Sequence, residues 1–502
     1  MIARKSALIV TTHVINALLG YVALFFITRY MGPEDYGIVA FALGFVTLFS
    51  IFGNMGYDQA HIKKVSEGKD LGTCIGTFIT IKTGLIGLMS IITISSIFLW
   101  RIVLGRGFES GTHEIAIYIM IIYWAIKIFA QSFISTFNAR KETAKAQIPH
   151  FLWSLFRVAS TIYVAISGYG SIALALTYVA GETFHLLSSI YLFRGYQIKK
   201  PSRDYFKSYS KFAFPLIIVV TSSIIMTNID KVLIQLFWSA SDVGYYFASY
   251  NLSQFIDMFT LAIGVLLFPT YSAFHAKNNL EGIRKLTLRS ERYLSMIVFP
   301  MVFGIIILAE PVTFILLSGW MPVVPILQIL PFYALLDALG RPYYSQLLGM
   351  GKPKLARNRV LIMVFCNVLL NIILIPKDIR IIGLNLAGLG AKGAAIATVI
   401  SYFVGLIYIR TTALKLTKTK GNPKILKHAI AAGLMSIFLY YINNIFHISR
   451  WFYLLFIAII GIGIYFSLLY LFKEFTKDDF SFFIDTINIK KMFSYIKKEI
   501  KK

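Results

Sequence analysis

Five basic side chains stand inside long apolar stretches of this chain: Lys82, Lys127, Arg157, Lys231 and Arg341. Four acids do the same: Glu182, Asp230, Asp257 and Asp337. A charge at the centre of a bilayer costs about 2.5 to 3.5 kcal/mol on insertion scales, so such groups face protein or water rather than lipid. The chemistry open to the cations is the binding of an anion, for which arginine offers a bidentate fork and lysine a point charge. Lys127 in "IIYWAIKIFAQ" and Arg157 in "WSLFRVAST" fall near mid-span and are read as cavity cations, with Lys231 and Arg341 extending the set. Lys82 lies closer to the inner face and Lys231 to the outer one, where snorkelling to the surface accounts for them equally well. Arg341 follows Asp337 by four residues on one helix face, the spacing of a self-neutralised pair. The acids are read as counter-charges to these bases or as acceptors of a coupling H⁺ or Na⁺. Glu182 has His185 three residues on.

Other chemistry is not written in the chain. No CxxC, HExxH, GxSxG or P-loop pattern occurs, and Cys74 and Cys366, both in or beside apolar runs, supply neither a disulfide framework nor a metal site. A membrane enzyme would need a sizeable polar loop or a His/Asp/Glu cluster at the surface, whereas the polar breaks here are short. The reading is therefore of a protein that is not an enzyme and carries no cofactor beyond an ion gradient or the membrane potential.

The elements that must position these charges are membrane helices. With 57% hydrophobic residues, 14% charged residues and a mean hydropathy of +0.71, the chain stands outside the range of soluble domains. Apolar runs of the roughly 20 residues that a spanning helix needs follow one another from "ALIVTTHVINALLGYVALFFI" to "WFYLLFIAIIGIGIYFSLLYLF". They predict an all-α integral membrane protein of about fourteen spans, the first of them too long for a signal-peptide core. Pro215, Pro300 and Pro331 fall inside spans as tolerated kinks. His13 with Asn16, and Asn367 with Asn371, give polar faces to helices one and eleven, ordinarily glue between helices.

A formal net charge of +26 would suggest nucleic acid in a soluble protein. Its placement points elsewhere, because 37 of the 49 Lys and Arg fall in the inner loops and tail when the N-terminus is inside, and 7 in the outer loops. The excess is topological, predicting a multi-pass protein of the cell membrane with both termini cytoplasmic, partnered by lipid and not by nucleic acid. Residues 473–502 interleave Phe and Ile with Lys, as a basic amphipathic tail does.

The chain also repeats itself. "RYMGPEDYGIVAFAL" and "LFWSASDVGYYFASY" place Asp35 and Gly37 opposite Asp242 and Gly244 at one offset of 207 residues. An even number of helices separates them, so the halves are parallel repeats. The pair Glu34 and Asp35 is read as a turn: Gly32 ends helix one, Pro33 opens helix two, and the acids meet that helix's dipole. The expected organisation is a six-helix lobe over 7–195, a second over 209–412, two further helices over 425–472, and the tail.

"YMGPEDYGIVAFA", "TNIDKVLIQ", "CNVLLNIILIP" and "GAKGAAIATVISY", taken in order, resemble the polysaccharide-flippase branch of the multidrug/oligosaccharidyl-lipid/polysaccharide (MOP) exporter superfamily. The resemblance spans the whole chain. It implies two lobes forming a V around a central cavity, and movement of polyprenyl-diphosphate-linked oligosaccharide from the cytoplasmic to the outer leaflet, with glycan-assembly enzymes as further partners. An ion-coupled drug exporter or a lipid II flippase of the same superfamily is the alternative. A drug exporter handling organic cations calls for a cavity of acids, against which five intramembrane bases and four acids weigh.

Overall fold

Inside a bilayer every backbone N–H and C=O must find its partner within the protein, and a helix does this segment by segment. The structure, a computed structural model describing residues 2–104, 107–379, 384–446 and 450–475, is accordingly almost wholly helical. In chain order its helices are α1 (Ile2–Tyr30), α2 (Pro33–Phe49), α3 (Ile51–Asn54), α4 (Tyr57–Ser66), α5 (Leu71–Leu104), α6 (Gly111–Ala139), α7 (Thr143–Ile166), α8 (Ser171–Phe193), α9 (Arg203–Ala213), α10 (Ile217–Phe237), α11 (Ala240–Ala276), α12 (Leu280–Ile307), α13 (Ala309–Leu316), α14 (Val323–Leu327), α15 (Pro331–Gly349), α16 (Pro353–Leu374), α17 (Gly390–Thr417), α18 (Ile425–Phe446) and α19 (Trp451–Leu471). A two-residue antiparallel pairing joins Asp378–Ile379 to Leu384–Asn385.

The expected apolar runs fall largely within these helices. Among the described residues nine helices are long and apolar enough to cross a membrane, or ten if the bent pair Pro33–Phe49 and Ile51–Ser66 counts as one span, so the count of fourteen is not confirmed. Pro300 lies inside α12 as expected. Pro331 instead opens α15, where its missing N–H has no helical partner to lose. Residues 476–502, most of the expected amphipathic tail, lie outside the described residues.

The described residues form two compact units, one of residues 7–247 with 368–394, the other chiefly of 248–367 with those from 395 onward. In the first, α6, α7 and α8 pack around Ile75, Phe133, Ile134, Phe137, Ala146 and Phe193. His61 is buried there between Tyr209, whose hydroxyl lies 2.8 Å from Nδ1, and Thr136, 2.9 Å from Nε2. The turn that opens α2 behaves as a structural joint. Gly32 is extended, Pro33 is the first helical residue, and Glu34 and Asp35 stand in the first turn. Asp35, however, caps a different helix: its Oδ1 accepts the backbone N–H of Ser171, the first residue of α8, at 2.8 Å. The duplicated glycines meet each other. A Cβ on Gly37 would lie 1.7 Å from the Ala240 carbonyl oxygen and 2.9 Å from Gly244 N, and one on Gly244 would lie 2.1 Å from the Pro33 oxygen.

In the second unit Glu291 of α12, fully buried, accepts from Arg410 of α17 and from the backbone of Asn422 at 2.8 Å. Glu474 just past α19 is fully buried as well and pairs with Arg292 and, at 3.0 Å, with Lys424. These buried pairs tie α12 to the C-terminal helices.

Candidate anion site

The two mid-span cations come together on adjacent helices of the first unit. Gly181 lets α7 and α8 approach closely, because a Cβ there would lie 2.8 Å from Arg157 Cβ and 3.1 Å from the Trp153 oxygen. Arg157 is thereby laid along α8, its guanidinium 4.9 Å from the Tyr178 ring and 5.1 Å from that of Trp153. Tyr178 meets Tyr123 of α6 edge-on at 5.8 Å. The Tyr123 hydroxyl accepts from Lys127 Nζ at 3.0 Å, and that ammonium lies 4.3 Å from the Trp124 ring. Trp124 is held in turn by Thr47 of α2, to which its indole N–H donates at 3.2 Å. The result is a ladder, Lys127–Tyr123–Tyr178–Arg157, with each cation over aromatic faces.

Aromatic faces stabilise a cation by roughly 0.5 to 2 kcal/mol without neutralising it. Among the described residues no carboxylate lies within ion-pair distance of Lys127 or Arg157, and Arg157 Nε is buried without a hydrogen-bond partner. Glu182 of α8, 1% exposed, stays within electrostatic reach of Lys127 but pairs with His185, whose Nδ1 lies 2.5 Å from Glu182 Oε1. The ladder thus holds two positive charges whose full partner is not among the described residues, an arrangement that can receive an anion between adjacent helices.

The other expected site residues make contacts of their own. Lys231 of α10 is buried, donates to Asn228 Oδ1 at 2.8 Å and lies 5.0 Å from the Phe247 ring, its stem against Gly44. Snorkelling therefore does not describe it. Its neighbour Asp230 accepts from Tyr246 and, at 2.5 Å, from Asn371. Lys82 does not snorkel either: it is 1% exposed and its Nζ lies 2.7 Å from Asp58 Oδ1. In the second unit Arg341 lies 2.8 Å from Asp337 and 3.7 Å from Asp257, and Arg359 lies 3.1 Å from Asp337, so two arginines balance two aspartates. Sequence reading missed Arg359, which stands near the end of its apolar run. It also missed the aromatic half of the ladder, although Trp153 precedes Arg157 by four residues and Tyr123 precedes Lys127 by four, the spacing of neighbours on one helix face. No cluster of metal-ligating groups occurs among the described residues.

Comparison with known proteins places the chain in a family. Over 92% of its length the chain superposes on 98% of a lipid II flippase MurJ in an inward closed conformation, with a TM-score of 0.73 at 16% identity. Over 81% it superposes on 96% of an inward-facing MATE multidrug resistance transporter of the MOP superfamily, with a TM-score of 0.66 at 16% identity. The fold is that of the MOP membrane transporters. Residues 26–325 match the polysaccharide biosynthesis protein family, and the chain belongs to it. In sequence it is similar to a probable low-salt glycan biosynthesis flippase, Agl15 of Haloferax volcanii, 24% identical over 416 residues that cover 81% of this chain and 82% of that one.

Proposed function

We propose that this protein is a flippase that moves polyprenyl-diphosphate-linked oligosaccharide from the cytoplasmic to the outer leaflet of the cell membrane, for synthesis of surface polysaccharide or glycoprotein. The observation that carries the reading is the pair of cations Lys127 and Arg157, joined through aromatic rings with no carboxylate in ion-pair distance among the described residues. A diphosphate supplies the missing negative charge, and arginine can hold it with two parallel hydrogen bonds. Membership of a polysaccharide biosynthesis family supports a glycan substrate. Cations at the site disfavour organic-cation export, the reading that the MATE-like fold would otherwise allow. Outward movement is downhill electrically. With the cytoplasm negative, each negative charge carried out gains about 2.3 kcal/mol per 100 mV. What the protein must supply is a polar path for the sugar while the lipid tail stays in hydrocarbon.

The test is transport in cells lacking their own flippase. Expression of this chain should stop a lipid-linked glycan from accumulating on the cytoplasmic side. Arg157→Ala should abolish that rescue at normal expression and insertion, and Arg157→Lys should retain part of it, since charge survives and bidentate geometry does not. Normal rescue by both Arg157→Ala and Lys127→Ala would refute the reading.

A further inference from the structure

One titratable group beside the cation ladder has no place in anion binding by itself. His185 is 3% exposed, and its Nδ1 lies 2.5 Å from the carboxylate of Glu182, where it donates. That hydrogen bond fixes the tautomer, so Nε2 carries a bare lone pair. Nε2 is buried and has no hydrogen-bond partner among the described residues. A buried imidazole nitrogen without a donor is costly unless something binds it part of the time. The ring of His150, from α7, lies 4.7 Å from that of His185 at an angle of 34°, a second imidazole packed against it.

The surrounding charges give the pair a task. From α6, Lys127 and Tyr123 act on Glu182; from α7, His150 and Arg157 approach α8; from α8 itself, Tyr178 backs Arg157. Asp35 of α2 is engaged at the far end of α8 by Ser171, with Glu34 and Tyr36 in the same turn, and His13 of α1 is in electrostatic reach of His150. Glu182 is therefore a negative charge in electrostatic reach of Lys127, and it competes with any incoming anion there.

We propose that the Glu182–His185 pair is a proton-binding switch of the anion site: His185 Nε2 takes up a proton from the aqueous phase as a diphosphate enters between Lys127 and Arg157. The inference rests on the anion-site reading above and names the ion coupled to it. The step balances simply. A proton from water adds to the Nε2 lone pair, Nδ1–H stays on Glu182, and no other bond breaks. The carboxylate–imidazolium pair is then neutral, so Glu182 no longer opposes the incoming anion, and the diphosphate is held by the two cations. When the anion leaves, the proton leaves with it.

The experiment is titration calorimetry of the full chain in lipid nanodiscs with farnesyl diphosphate as probe, repeated in buffers of different ionisation enthalpy to count protons exchanged on binding. Relative to Glu182→Gln, which reports the probe's own titration, the native protein should take up about one additional proton per diphosphate bound. Glu182→Gln should bind the probe more tightly, by roughly tenfold, because the competing charge is gone. His185→Gln should bind it more weakly by a similar factor and also lose the uptake, because Glu182 then stays charged. A purely structural pair would weaken binding in both variants. Proton exchange that is the same in the native protein and in both variants overturns the switch and leaves the anion site standing. Probe binding that survives Lys127→Ala with Arg157→Ala, or no binding to the native protein, overturns the anion site and the switch together.

Discussion

Lys82 shows how a buried charge is judged by its partner. At 1% exposure with Asp58 2.7 Å away, it belongs to a pair whose disruption strands a carboxylate. Breaking such a pair from one side costs about 3 to 5 kcal/mol, whereas removing both charges is often near neutral. Lys82→Met should thus lower the thermal midpoint and yield of the purified protein, and Lys82→Met with Asp58→Asn should restore most of the loss. Equal damage in the single and double variants would refute the pairing argument. Glu142, in the connection between α6 and α7, gives a pH-dependent counterpart. Partial burial would raise its carboxyl, but hydrogen bonds from Tyr196, Arg140 and Lys145 outweigh it and hold the group at about 2 against an ordinary 4.5. Because the folded value is the lower one, its contribution is fully present above pH 4.5 and is lost as pH falls toward 2. Glu142→Gln should therefore lose less stability than the native protein across that acid window in a thermal-shift series.

The turn that opens α2 is held by one contact that allows no side chain and by one cap supplied from a distance. Gly37→Ala would put a methyl 1.7 Å from a backbone oxygen, so the first turns of α2 and α11 would have to separate. We expect a marked fall in thermal midpoint for Gly37→Ala and for Gly244→Ala. Gly84→Ala in α5, where a Cβ meets nothing within 4 Å, should leave it nearly unchanged. Asp35→Ala should cost about 1 kcal/mol through the lost cap on α8, and Glu34→Ala much less. Equal effects of the two acids would mean that the cap on Ser171 contributes nothing.

For the molecule as a whole, charge placement sets the topology to be tested. The excess of Lys and Arg, 37 in the expected inner segments against 7 in the outer ones, calls for cytoplasmic termini. Reporter fusions after Lys502 and within "MGPED" should report inside and outside respectively, and the reverse result would overturn the assignment of inner and outer loops.

What the sequence determined by itself follows from solvation. Apolar runs of spanning length, basic loops and a few costly mid-run charges are each properties of a segment in its solvent, and they predicted the helical membrane class, the polar turn at Pro33 and the two cations of the ladder. The resemblance to the MOP exporters, carried by short motifs in order, agreed with the fold and family found. Partners across helices were not legible. That Lys82 meets Asp58, that Asp35 caps a helix 136 residues away, that Arg359 joins Arg341 on Asp337, and that His150 reaches His185 all depend on where two helices cross and how far each is rotated. Periodicity tells which face of a helix is apolar, but not which residue of another helix that face will meet, because close packing between helices fixes register and rotation only in three dimensions. Tertiary structure alone therefore decided that Lys127 and Arg157 lie on aromatic faces without a carboxylate partner among the described residues, while Lys82 and Arg341 are neutralised.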